Sequence, residues 1–372
     1  MELEEYEGGD LNSRDRVYAL LNLEEADRIA YMDSFWRETI DRWKKEGLPE
    51  HVVLPEYFDM DVYFVGTDVS PKYDVITLEE TTEHRVYRDS YGVKVKAWKD
   101  KSGTPLPLEP AVTTLEEFKE RIEPLLDPDL PMRISSPRYP FRGDLEKAIK
   151  KLQERYFVFA GVLGPFEYAR HILGEGVDRI VRYFYRDPKT LEYIFRVLGR
   201  FLSAIAKALL DMGADGVWIW DDVAYRSGPF MSPSMYEKFV APAHRRIIEP
   251  FINKNHPAVL HTDGNVNVLI PKFIEVGFTA LQPLEAKAGM DVRELKKKYG
   301  DRLAFIGNLD ARKLSAGREH IKEEFMSKVF IAAEGGGYIA GSDHSVPPSV
   351  SLSDYQYLLS LIRKYGVYPR RG

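Results

Sequence analysis

Two residues apart in the run LHTDGN, His261 and Asp263 form the pair in this 372-residue chain best suited to hold a cation. Side chains two apart on an extended segment project to one side, so an imidazole and a carboxylate can reach the same point. His344, in GSDHSVPP, is a third donor of the same kind. Two imidazoles and one carboxylate leave a fourth position open, as catalytic zinc sites do, and they also suit iron or manganese. The plainer reading is a strand-end imidazole orienting a carboxylate, with His344 bonded to a loop backbone. Asp221 and Asp222 after GVWIW, Glu285 after LQPL and His171 in GPFEYARH are candidate acid–base groups. Arg37, Gln282 and Asn308 are candidate substrate contacts. Each has a quieter alternative. Asp221 or Asp222 can cap a turn, Glu285 can pair with Lys287, and Asn308 and Asp310 can shape the turn into the next helix.

The chain has no cysteine. That excludes disulfides, thiolate ligands and a cysteine nucleophile. Net charge is −6 with both signs interspersed, so no basic stripe points to nucleic acid. No apolar run has the length of a membrane span, and the acidic start MELEEYEGGD is unlike a secretion signal. A cytoplasmic location is the expectation, and a homodimer is compatible with it.

The candidate residues follow short, nearly continuous apolar runs. Residues 156–160, 216–220, 258–260, 278–281, 303–306 and 337–340 read as parallel strands buried on both faces. Amphipathic helices separate them. Thr190 to Met212 carries Leu191, Ile194, Phe195, Leu198, Leu202, Ile205 and Leu209 on one stripe. Segments 236–252, 268–276 and 292–299 behave alike, with Gly277 and Gly300 placed as left-handed caps. Strand–helix alternation with polar groups collected after the strands is the pattern of a (β/α)8 barrel, whose chemistry sits at the carboxyl ends of the strands. Residues 28–32 and 132–134 are the expected remaining strands. The first 130 residues form an irregular extension of a single domain, with a β-hairpin over 82–97. A doubly wound sheet is the rival, but no GxGxxG opens a helix after a first strand.

The segments GPFEYARHILGEG, ADGVWIWDD, SGPFMSPSMYEKFVAPAHRRI, LHTDGN, GDRLAFIGNLD and GGYIAGSDHSVPP together resemble the uroporphyrinogen decarboxylase superfamily, from about Tyr156 to Leu359. That superfamily includes decarboxylases and corrinoid-linked methyltransferases. Against the decarboxylase branch, His171 falls at the catalytic tyrosine, Asp221 or Asp222 replaces a serine, and His344 matches a late histidine. The two-arginine segment that meets substrate carboxylates reads RIAYMDSFWRETIDRW here, with Arg37 and Arg42 in a different context. In the methyltransferase branch the zinc site is His-x-Cys with a late Cys. His261, Asp263 and His344 stand at those places as a cysteine-free version.

The resemblance thus implies methyl transfer between a small methylated compound or a corrinoid carrier and an acceptor, assisted by a divalent metal such as zinc. The corrinoid would sit on a partner protein. Tetrapyrrole decarboxylation is the alternative, using cationic groups and Asp221 with no metal. A ligand-binding barrel without chemistry is the non-enzymatic one.

Overall fold

A computed structural model describes residues 11–100, 102–128, 142–174 and 176–368. Eight parallel strands run in chain order: β1 (Ala30–Tyr31), β2 (Val62–Gly66), β3 (Phe157–Leu163), β4 (Gly216–Trp220), β5 (Ala258–His261), β6 (Ala280–Gln282), β7 (Ala304–Ile306) and β8 (Tyr338–Ala340). Strand β8 pairs with β1, and the Asp61 N–H donates to Tyr31 O at 3.1 Å, carrying the backbone bonding round from β1 to the start of β2. The architecture is the (β/α)8 barrel. Strands β1 and β2 both come from the first 130 residues, so that region supplies a quarter of the wall as well as an attachment. The place expected of residues 132–134 is taken by Val62–Gly66; 132–134 themselves lie outside the described residues.

Alternation along the strands sorts side chains into barrel interior and helix-facing layers. Trp218 pairs with Val259, and Trp220 with His261, which in turn pairs with Gln282. Trp220, His261 and Gln282 therefore form one interior layer at the carboxyl end. Below it, Phe64, Phe159 and Trp218 pack ring against ring, with centroids 5.0 to 5.9 Å apart. Room for Trp220 comes from Gly161, where a Cβ would lie 2.4 Å from the indole ring.

The expected helices are present. Pro188–Asp211 begins at Asp187, whose carboxylate accepts from Thr190 N, and buries the predicted stripe. Each fully buried aliphatic side chain there contributes about 1.5–3 kcal/mol of transfer free energy. Its Gly199 lets Ala241–Ile252 approach until a Cβ would sit 3.0 Å from Ala243. The predicted 236–252 helix starts with a π turn, Tyr236–Val240. Pro242 has no N–H for the carbonyl four residues back, so the ladder shifts there. Gly277 caps its helix at φ 111°, whereas Gly300 ends its helix at φ −66°, in the ordinary right-handed region. The hairpin is real and larger than expected. His84–Arg88 and Lys94–Trp98 are the middle strands of a four-stranded antiparallel sheet with Ile76–Glu80 and Leu106–Glu109. No helix among the described residues is long and apolar enough to cross a membrane.

Candidate metal and active site

His261 ends β5 and Gln282 ends β6, so their backbone pairing carries their side chains together. Gln282 Oε1 accepts from His261 Nδ1, which fixes the ring and leaves the Nε2 lone pair facing the mouth. The chain then turns at Gly264, with φ 84°. A Cβ there would meet the Tyr225 backbone at 2.6 Å, so only glycine allows the turn to fold against the strand 4 loop. That turn returns Asp263 beneath Asp222, whose Oδ1 accepts from Asp263 N at 2.9 Å.

Asp222, His261 and Asp263 each offer a ligand atom, and the three atoms lie within 4.8 Å of one another. His261 Nε2 is 3.8 Å from Asp222 Oδ1. His344 stands at the edge of this group, its Nε2 3.4 Å from Asp263 Oδ2, and its ring stacks on Trp36 at 5.6 Å between centroids. Asp222 thus joins the two residues expected from sequence, while His344 reaches the cluster through Asp263.

Electrostatics fit this geometry. Burial raises the carboxyl pKa of Asp222, and neighbouring Asp263 adds to the rise against the opposing charge of His261. Asp263 also pays for burial, yet the hydrogen bond from His344, with the charges of His261, His344 and Lys287, leaves its carboxyl below the ordinary value. The hydrogen bond to Asp263 raises the pKa of His344. Asp263 Oδ1 is buried and has no hydrogen-bond partner among the described residues. A bare carboxylate oxygen is costly. A cation held by Asp222, His261 and Asp263 would satisfy it, and the donor set suits a divalent ion of the zinc, iron or manganese kind.

The other predicted residues divide clearly by their contacts. Glu285 is buried, accepts from Gly264 N at 2.9 Å and pairs with Lys287 at 2.6 Å, so it braces the turn that carries Asp263. Asp221 points away from Asp222. Its carboxylate accepts from Phe166 N and Glu167 N at the start of Pro165–Leu173, and from His244 Nε2 at 2.6 Å. Tyr236 OH donates in turn to His244 Nδ1 at 2.8 Å. Asn308, at φ 72°, donates to Leu284 O and Met290 O and accepts from Val292 N, which uses its whole amide within the fold. His171 is held by Asp89 at 2.6 Å and edge-on by Tyr91, at the antiparallel sheet. Arg37 reaches Lys99 O at 3.4 Å from an exposed position.

Sequence reasoning passed over Glu167 and Arg170. They pair at 2.9 Å, burial raises the Glu167 carboxyl, and the charges of both are felt by Asp222. Their signal was their position in the helix that follows β3 and carries His171. Asp33, directly after β1, was also passed over.

The family model for uroporphyrinogen decarboxylase (URO-D) matches residues 85–365. The chain belongs to this family. Among its relatives, a uroporphyrinogen decarboxylase of Thioalkalivibrio sulfidiphilus is 25% identical over 197 residues, covering 51% of this chain and 53% of that protein. The methylcobamide:CoM methyltransferase MtbA of Methanosarcina acetivorans is 29% identical over 179 residues, 45% of this chain and 48% of that one. The chain thus matches about half the length of these curated relatives. A solved methyltransferase from Methanosarcina mazei covers 96% of this chain and 99% of its own at TM-score 0.64 and 18% identity, a likeness of fold. URO-D family relatives thus include both methyltransferases and decarboxylases.

Proposed function

We propose that this protein is a methyltransferase moving a methyl group between a small methylated compound or a corrinoid carrier and an acceptor, with a divalent metal held by Asp222, His261 and Asp263. The observation that carries the reading is the buried, partnerless Asp263 Oδ1 within a three-residue ligand set at the barrel mouth. When bound, zinc or a similar ion supplies Lewis acidity, polarising an ether oxygen or lowering the pKa of an acceptor thiol. His261 presents Nε2 because Gln282 holds Nδ1. His344, charged more readily beside Asp263, stands ready to give a proton at Nε2 to a leaving oxygen. Trp220, next to His261 in the interior layer, provides an apolar wall that keeps water from the methyl group. The chain has no thiol, so the nucleophile comes with the substrate or a partner. Relatives named for methylcobamide and CoM support a corrinoid-bearing partner and a thiol acceptor.

Tetrapyrrole decarboxylation fits the mouth poorly. Asp263, Glu285 and Asp343 act on Lys287 there, and Asp222 on Arg170, and this excess of acids repels a polycarboxylate. Arg37 and Arg42 bond instead to Lys99 O and to Glu46 with Pro348 O.

The test is elemental analysis of protein purified without chelator, followed by transfer from methylcobalamin to CoM. We expect one bound divalent metal and measurable transfer, both abolished in His261→Ala with the fold intact by circular dichroism. Metal retention by that variant, or conversion of uroporphyrinogen without any methyl transfer, overturns the reading.

A further inference from the structure

A second cavity opens in the barrel wall, and none of Asp222, His261 and Asp263 lines it. Among the described residues, strands β1 and β2 are joined by one backbone bond, from Asp61 N, just before β2, to Tyr31 O, at the end of β1. Above that bond they diverge around a cleft of about 210 Å3, lined chiefly by Met32, Asp33, Met60, Val62, Tyr63 and Phe64. Its walls are thioethers, one valine and two aromatic rings. The only carboxylate among these residues belongs to Asp33.

That carboxylate is held in place by neutral donors. Ser342 donates to Oδ1 from N at 3.0 Å and from Oγ, and Tyr355 OH donates to Oδ2 at 3.1 Å. Its acidic neighbour Asp343 adds negative potential, and the groups that act on it most, Ser342, Tyr355 and Asp343, include no cation. A carboxylate taken out of water without a counter-charge is unfavourable: it either keeps a proton or pairs with a cation. On its other side Asp33 borders a cavity of about 10 Å3 with Gln282, Ser342 and His344, room for roughly one water. A ligand in the cleft is therefore separated from His261 by Asp33 and Met32.

We propose that the cleft between β1 and β2 is a binding site for a small methylated organic cation of the quaternary ammonium class. Aromatic faces and thioethers suit an apolar cation's methyl groups, and Asp33 supplies the opposite charge. The volume admits a molecule the size of tetramethylammonium or choline. The proposal stands independently of a metal at Asp222, His261 and Asp263.

The probe is tetramethylammonium chloride, with tert-butanol as a neutral molecule of similar shape, titrated into the full chain by calorimetry and by ligand-observed NMR. Saturable binding of the cation is expected, at least about tenfold tighter than that of tert-butanol, a difference of roughly 1.4 kcal/mol. Asp33→Asn, which keeps an acceptor for Ser342, should weaken the cation by a similar factor and leave tert-butanol unchanged. Met60→Trp, filling the cleft, should abolish both signals. Equal binding of cation and alcohol by the wild-type chain, no saturable binding of the cation, or undiminished binding by a folded Asp33→Asn each overturns the proposal. The wild-type comparison decides even if a variant fails to fold.

Discussion

The two ends of the barrel hold their acids in opposite ways. At the amino end Asp61 receives Ser13 Oγ, Arg16, both terminal nitrogens of Arg28 and the Tyr31 N–H, all at 2.7 to 3.0 Å. Asp215, just before β4, receives Arg14, Gln153 and the Val158 N–H. These carboxylates are saturated and compensated by charge. At the carboxyl end Asp263 keeps an oxygen without a partner, and burial lifts the pKa of Asp222. Asp61 and Asp215 are fully buried, whereas Asp222 and Asp263 are partly exposed at the mouth. A saturated acid ties strand to strand, whereas one with an unpaired oxygen can still accept a partner.

That contrast predicts opposite outcomes for substitutions at the two ends. Asp61→Ala leaves Arg16 and Arg28 without their shared acceptor at the β1–β2 closure. It should cost about 3–5 kcal/mol in denaturant unfolding, while the folded fraction keeps its metal. Asp263→Asn should reverse the pattern, losing metal while unfolding free energy changes by no more than about 1 kcal/mol, the worth of one hydrogen bond. If the two variants lose stability equally, the distinction between saturated and unsaturated acids fails.

Asp33 sharpens the comparison through pH. Burial is the largest cause of its rise from 3.8 to about 7, with Asp343 adding to it against the hydrogen bonds from Ser342 and Tyr355. A carboxyl raised in the folded state favours folding fully below its unfolded value, and that stabilisation is lost as pH climbs through the folded value. Asp33→Asn has no such loss. Its melting temperature relative to wild type should therefore rise from pH 4 to pH 7, by about a few degrees, and level off above. A pH-independent difference would mean that Asp33 titrates normally. The smallest effect is expected at Arg37, whose one contact is exposed and long. Arg37→Ala should shift stability by less than about 0.5 kcal/mol and leave metal content unchanged.

Much of this was legible in the residues. Six apolar runs gave strands with ends within three residues, because parallel strands buried on both faces need uninterrupted apolar character. VYFVG at 62–66 carries the same signal, but it lies among tyrosines and prolines that read as irregular, and β2 was missed. His261 and Asp263 were readable from their spacing. Asp222 was readable only as one of two adjacent acids, and His244 and Tyr236 gave no signal, since their partner Asp221 lies far from them in sequence.

By itself the sequence determined the period of each element, the barrel class and the set of polar residues at the strand ends. Those follow from local spacing, since side-chain direction repeats every two residues in a strand and every 3.6 in a helix. Only the tertiary structure decided which of those polar residues stay available. Asp221 turned under the Pro165–Leu173 helix and was saturated by its N–H groups, while Asn308 spent its amide on Leu284, Met290 and Val292. Asp263 met too few donors to fill both oxygens. Hydrogen-bond saturation depends on backbone groups brought near from distant segments, and no local pattern in the chain encodes which groups those are.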